Sequence, residues 1–214
     1  MTRPLFDLRL YLVTDRAALG GRELFAVVGQ AVAGGARLVQ LREKHATTRE
    51  FVELARGLVA LVRPLGAQLV INDRVDVALA VGADGVHLGQ EDFPIAPARR
   101  LAPDLIIGAS THSAAEARAA ERAGASYINI GPLFPTQTKT WSGEFLDLEG
   151  LRNIARCVTI PWTVMGGIKP EHVPALIQAG TRTIAVITAI TATDNPAQAV
   201  RDLLALLRGN DCRP

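Results

Sequence analysis

Four times along the chain an Ala-rich stretch of helical periodicity runs into a glycine and, one or two residues later, into a short apolar run. The copies are AVAGGARLVQL at 31–41, ALAVGADGVHL at 78–88, AERAGASYINI at 120–130 and LIQAGTRTIAV at 176–186. Glycine after a helix supplies the left-handed cap that residues with a side chain resist. A helix that ends this way and passes at once into a strand returns the chain in the same direction each time, which gives parallel strands. Further apolar runs fall between the copies: RLYLV (9–13), QLVI (68–71), LIIG (105–108) and PWTVM (161–165).

In order, the predicted strands are 9–13, 37–41, 68–71, 85–88, 105–109, 126–130, 161–165 and 183–187. Amphipathic helical patterns follow them at 23–33, 48–62, 75–81, 95–101, 114–123, 147–156, 171–179 and 196–208. Successive βα units in this number predict an α/β chain folded as a single (βα)8 TIM barrel over 1–214. The competing architecture is an open doubly wound sheet, which would carry a Gly-rich dinucleotide turn after its first strand. Here that strand is followed by TDRAALGGREL, with no GxGxxG.

Composition changes this picture little. The hydrophobic fraction is 49% and the aromatic fraction only 5%, so the core must be aliphatic, as β-branched strands and Ala/Leu helices require. A formal net charge of +2 with scattered basic residues gives nucleic acid no basic stripe to bind. No run approaches the roughly 18 apolar residues of a membrane span. The N-terminal apolar run is too short for a signal peptide and is bracketed by Asp7 and Asp15. Cys157 and Cys212 have no metal-binding spacing and are expected as free thiols. The expected setting is the cytoplasm, with phosphorylated small molecules as partners and neither nucleic acid nor membrane. Whether the chain forms a homo-oligomer is left open.

In a barrel the chemistry sits where strands end and βα loops begin. Thr14 and Asp15 follow the first strand. On the second, Gln40, Arg42 and Lys44 share one face, with no matching acid on that face in the sequence; core salt-bridging is the bland alternative. Asn72 and Asp73 end the third strand, and Gln90, Glu91 and Asp92 the fourth. Asp73 and Asp92 would leave the same sheet edge and could seat Mg²⁺ between the protein and a pyrophosphate, because a hard cation takes carboxylate and phosphate oxygens together. The alternative is that both are helix N-caps. Ser110, Thr111 and His112 end the fifth strand, where His112 is either an acid–base group or a structural hydrogen-bonding one.

The long connection at 131–147, GPLFPTQTKTWSGEFLD, carries Thr136, Thr138 and Lys139. Long βα loops usually serve the site, although a plain irregular loop would look the same. Gly166-Gly167 and Ile187-Thr188, after the last two strands, point to a phosphate held by backbone N–H groups. Arg42, Lys44 and Lys139 could form a second anion site. No P-loop, HExxH or nucleophile elbow is present.

YLVTD, VQLREK, INDRVDVALAVGADGVHLGQED, STHS, GPLFPTQTK and GGI–VITAI, in this order and spacing, resemble thiamine-phosphate synthases from about Tyr11 to Ile190. The resemblance implies a (βα)8 barrel that joins a hydroxymethylpyrimidine pyrophosphate to a thiazole phosphate, releasing pyrophosphate. It also implies that Gln40, Arg42, Lys44, Asn72, Ser110 and Lys139 hold the pyrimidine pyrophosphate, with Arg42, Lys44, Ser110 and Lys139 as the catalytic set. By the same resemblance Asp73 and Asp92 hold Mg²⁺, and Thr136, Thr138, Gly167, Ile187 and Thr188 hold the thiazole phosphate. Two positions depart from the family pattern: Trp141, where small or polar residues are commoner, and Met165, which replaces a smaller aliphatic residue. The sister family of thiazole tautomerases shares the barrel but characteristically lacks the paired aspartates and the full Asn-Asp turn, which Asn72, Asp73 and Asp92 supply here. A non-catalytic sensor on the same scaffold would bind product without turnover, and the intact charge set argues against it.

Overall fold

A computed structural model describes residues 5–136 and 143–209. The strands are β1 (Leu10–Val13), β2 (Leu38–Leu41), β3 (Gln68–Asn72), β4 (Gly85–Leu88), β5 (Ile106–Thr111), β6 (Tyr127–Ile130), β7 (Trp162–Val164) and β8 (Ile184–Val186). Each pairs in parallel with the next, and β8 pairs back to β1, so the sheet closes into the expected barrel. The helices are α1 (Leu24–Gly34), α2 (Thr48–Val62), α3 (Val75–Val81), α4 (Ile95–Leu101), α5 (Ala114–Arg122), α6 (Leu148–Ala155), α7 (Val173–Gln178), α8 (Thr188–Thr191) and α9 (Pro196–Arg208). The four-residue α8 and the 3-10 turns at Arg16–Leu19 and Arg63–Leu65 have no counterpart in the sequence pattern, because one helical turn is too short to show a period, while the helix expected over 171–179 is divided into a 3-10 turn at Pro170–His172 and α7.

Strand alternation sorts the core into two parts. Leu12, Val39, Leu41, Leu69, Ile71, Val86, Ile107, Ile128, Val164 and Val186 face outward and pack with the helices in one large cluster. Tyr11, Leu38, Val70, Ile106, Tyr127 and Ala185 point into the barrel and form a second cluster, against which Phe6 and Met165 pack. Burying both faces is what makes these strands read as continuous apolar runs. Several helices begin on side-chain caps. Thr47 and Glu50 form a reciprocal capping box at α2, and Ser113, Asp147 and Asn195 cap α5, α6 and α9. Each such cap contributes about 0.5–2 kcal/mol. Among the described residues no helix is long and apolar enough to cross a membrane.

Gly108 of β5 is dictated by the interior. A Cβ there would run into the Tyr127 ring and hydroxyl and would lie 2.5 Å from His87 Nδ1. The missing side chain is the space that the tyrosine occupies.

Candidate active site

The inward positions turn polar toward the strand C-termini, and a cleft of about 980 Å³, its open mouth included, lies above them. Of the residues singled out from sequence, Gln40, Arg42, Asn72, Ser110, Thr136, Gly167, Ile187 and Thr188 line it, together with His112 and Met165. His87, Asn129 and Val13 also line it, and sequence reasoning passed over them. His87 and Asn129 sit inside GVHL and YINI, where a single polar residue between apolar neighbours looks like part of a strand. Their inward facing follows from register with Asn72 and Ser110 on the neighbouring strands, which the sequence does not give. A second hollow shares Arg42 and Thr188 with the first and is bordered by Asp15, Arg16, Glu43 and Lys44.

The cations just past β2, Arg42 and Lys44, have acids that the sequence did not reveal. Arg42 Nη1 lies 2.5 Å from Asp15 Oδ2, and Lys44 Nζ lies 2.5 Å from Asp73 Oδ2. The matching carboxylates come from the ends of the two flanking strands, β1 and β3, rather than from the same strand. Asp15 is further fixed by accepting from Ala17 N at 3.0 Å, and Thr14 Oγ1 accepts from Arg42 N at 3.2 Å. Both cations are therefore held at the mouth.

Neither aspartate of the suggested metal pair is an N-cap. The N-cap of α3 is Arg74 and that of α4 is Pro94, neither with a side-chain cap bond. Asp73 has φ of 62°, the one positive value among described non-glycine residues, and Arg74 N donates to Asn72 O at 2.8 Å across it. Such backbone costs of order 1–3 kcal/mol and persists where the surroundings hold it. Here Asp73 N also donates to His87 O at 2.8 Å. Asp92 Oδ2 accepts from Gly89 N at 2.7 Å. Burial and contact with the Asp73 carboxylate hold the Asp92 carboxyl above its usual range, partly offset by the Gly89 amide and Lys44. Two carboxylates in contact with a single lysine beside them are one positive charge short, the donor set a hard cation suits. Among the described residues no cluster of three or more His, Cys, Asp or Glu accompanies them. A cation held by this pair would take its other oxygens from water or substrate.

Below the cleft a buried hydrogen-bonded chain crosses the barrel. Gln40 Nε2 donates to Tyr11 Oη at 2.6 Å, and Tyr127 Oη donates to Tyr11 Oη at 2.8 Å. His87 Nδ1 is 3.0 Å from Tyr127 Oη, and His87 Nε2 is 3.0 Å from Ser110 Oγ. With the Tyr127 proton given to Tyr11, its oxygen accepts from His87 Nδ1–H. Nε2 is then left to accept the Ser110 hydroxyl. Burial pushes both tyrosine hydroxyls up, so neither ionises at neutral pH. The chain fixes Gln40 and Ser110 before any ligand arrives.

The opposite wall is built by backbone. Leu133 N donates to Met165 O and Phe134 N to Gly166 O, both at 3.1 Å, which zips the loop after β6 onto the end of β7. Gly167 has φ of 59°, and a Cβ there would strike the carbonyl oxygens of Phe134 and Pro135, so this approach requires glycine. Thr136 arrives at the cleft beside it. Ile187 is the N-cap of α8 and Thr188 its first residue; Arg22 donates to the carbonyls of Thr191 and Thr193 at the other end. Thr138, Lys139 and Trp141 lie outside the described residues. His112 Nδ1 is 3.0 Å from Glu116 Oε2, and its backbone N–H donates to the same oxygen at 2.7 Å, which ties it into the start of α5.

Comparison with known proteins agrees with this layout. Residues 10–190 match the family described as thiamine monophosphate synthase. A thiamine-phosphate synthase of Solidesulfovibrio magneticus is 52% identical over 202 residues, covering 94% of this chain and 96% of that protein. One of Chloroflexus aurantiacus is 47% identical over 203 residues, covering 95% and 94%. The solved structure of a thiamine phosphate pyrophosphorylase from Pyrococcus furiosus superposes with a TM-score of 0.86 at 41% identity, covering 94% of this chain and 96% of the other. The chain belongs to the thiamine-phosphate synthase family of transferases.

Proposed function

We propose that this cleft joins 4-amino-2-methyl-5-hydroxymethylpyrimidine pyrophosphate to hydroxyethylthiazole phosphate, giving thiamine phosphate and pyrophosphate. One observation carries the reading. Arg42 lines the cleft on its β2 side, Lys44 borders the adjoining hollow and pairs with Asp73, and Asp73 contacts Asp92 just past the Asn72 that lines the cleft, while the β6–β8 side is a Gly-Gly turn and a helix start. That arrangement suits a metal-bound pyrophosphate on one side and a monophosphate on the other.

In this reading Gln40, Asn72 and Ser110 hold the pyrimidine, while Arg42, Lys44 and Lys139 hold its pyrophosphate. Thr136, Thr138, Gly167, Ile187 and Thr188 hold the thiazole phosphate. The bond between the pyrimidine methylene and the pyrophosphate oxygen breaks first, its electron pair leaving with the pyrophosphate. The 4-amino group feeds electrons through the ring to the methylene. The thiazole nitrogen lone pair then forms the new C–N bond, and no proton has to be removed. The reaction therefore needs no strong general base. Arg42, Lys44 and Lys139 stabilise the charge that develops on the leaving group, and holding both substrates in one cleft supplies much of the remaining rate. Asp73 and Asp92 would hold Mg²⁺, which when bound neutralises pyrophosphate oxygens.

The tautomerase reading finds no support, since each relative named above is a synthase. The test is pyrophosphate release from purified protein mixed with both substrates, with and without Mg²⁺. Release that requires both substrates and the metal, with thiamine phosphate in equal amount, is expected. Release from the pyrimidine substrate alone, or thiazole isomerisation without metal, would overturn the assignment.

A further inference from the structure

Asn129 of β6 is 2% exposed and lines the cleft, yet neither its Nδ2 nor its Oδ1 has a hydrogen-bond partner. It stands in register between Ser110 on β5 and Thr163 on β7, and the Thr163 hydroxyl is likewise buried without a partner. An orphaned buried amide costs free energy that native structures normally avoid. The neighbouring polar groups differ, because Gln40, His87 and Ser110 are already joined in the chain through the two tyrosines. With the Ser110 proton committed to His87 and the Gln40 amide N–H to Tyr11, what these two cleft-lining residues still offer at their oxygens is acceptor capacity. Asn129 adds a donor and an acceptor side by side.

We propose that Asn129 reads the edge of the aminopyrimidine ring, its Nδ2 donating to a ring nitrogen and its Oδ1 accepting from the exocyclic amino group. This rests on the synthase reading above and deepens it. An amide and an aminopyrimidine edge are complementary in the way that Asn or Gln pairs with adenine. A thiazole offers no such donor–acceptor edge, so the amide serves the pyrimidine. Placement at this edge leaves the methylene free to point up toward Arg42 and the carboxylate pair.

Steady-state constants for both substrates in Asn129→Leu, with thermal unfolding of the free protein, test the proposal. KM for the pyrimidine pyrophosphate should rise about ten- to a hundredfold, the worth of a bidentate pair. KM for the thiazole phosphate should stay within about twofold. The melting temperature should hold or rise, because the amide has no protein partner to lose. An unchanged pyrimidine KM, or an equal rise for both substrates, would overturn it. So would a fall in melting temperature without a selective KM effect. Should Asn129→Leu fail to fold, Asn129→Ala carries the same comparison. Turnover by the unsubstituted protein, which needs both substrates, tests the reaction itself, so the two ideas fail separately.

Discussion

Removing one buried hydroxyl tests whether the crossing hydrogen-bond chain holds the barrel interior together. Tyr127→Phe keeps the ring over Gly108 and deletes only Oη. That atom meets Tyr11 Oη at 2.8 Å and His87 Nδ1 at 3.0 Å. Tyr127 and Tyr11 are both fully buried, so water does not readily replace what is lost. Two hydrogen bonds at about 1 kcal/mol net each, with part of the penalty for polar groups left in a dry interior, come to about 2–4 kcal/mol. For a chain of this size that is a fall of roughly 5–15 °C in melting temperature. Tyr11→Phe, which also breaks the 2.6 Å bond from Gln40, should cost as much or more. In the double variant the losses should fall short of additive, with about 0.5–3 kcal/mol of coupling, because both substitutions break the same link. Thermal and urea unfolding followed by circular dichroism reads all three. Falls below about 2 °C for both single variants would refute the idea that this chain is a structural support.

Three other outcomes follow from the same geometry. Asp92→Asn should abolish Mg²⁺-dependent pyrophosphate release while leaving the fold intact, and Mg²⁺ should raise the melting temperature of the parent but not of the variant. Without metal, the raised folded-state carboxyl of Asp92 means the folded chain holds a proton that the unfolded one has released. This contribution to stability is therefore present at low pH and lost as pH rises through that carboxyl's range; the pH-dependence of unfolding should flatten in Asp92→Asn. Lys139→Ala should lose turnover with an unchanged melting temperature, read by product formation and calorimetry. Gly108→Ala places a methyl where the Tyr127 ring stands and should cost about 1–3 kcal/mol or more, seen in a lower urea midpoint.

Much of the barrel is legible because each unit repeats a local device. A glycine past each of several helices, and strands buried on both faces, mark the chain whatever its tertiary partners are. Predicted strands such as 85–88 and helices such as 48–62, 75–81 and 95–101 coincide with the structure for that reason. Position along a strand also brings Gln40, Asn72, Ser110, Gly167 and Thr188 to the cleft, since a barrel sends all strand C-termini to one end. What stayed hidden is pairing between strands. Nothing in VQLREK says that Asp15 meets Arg42 or that Asp73 meets Lys44. Those contacts depend on which strand neighbours which, and on a backbone turn at Asp73 that the sequence does not announce. His87 and Asn129 were hidden for a related reason: a lone polar residue in an apolar run shows its purpose only when the residues across the barrel are known.

The pairing of the mouth charges bears on how the site would accept its substrates. Lys44 and Asp92 both contact Asp73, one as its counter-ion and the other as its competitor for positive charge. A divalent cation seated on the two carboxylates would weaken the hold of Asp73 on Lys44, and the half-exposed ammonium would then be available to an incoming anion. A pyrophosphate that engaged Lys44 would in turn leave Asp73 in greater need of a cation. Each event would therefore favour the other, and by linkage the two effects would be equal in size. Arg42 follows the same logic with Asp15, but its pair is less exposed and lacks a second carboxylate in contact. On this reading the β2–β3 side, held by exchangeable ion pairs, would be the adjustable half of the mouth, and the Gly166–Gly167 turn, held by backbone hydrogen bonds, the rigid half. That division matches a reaction in which one phosphate group departs and the other only has to be held.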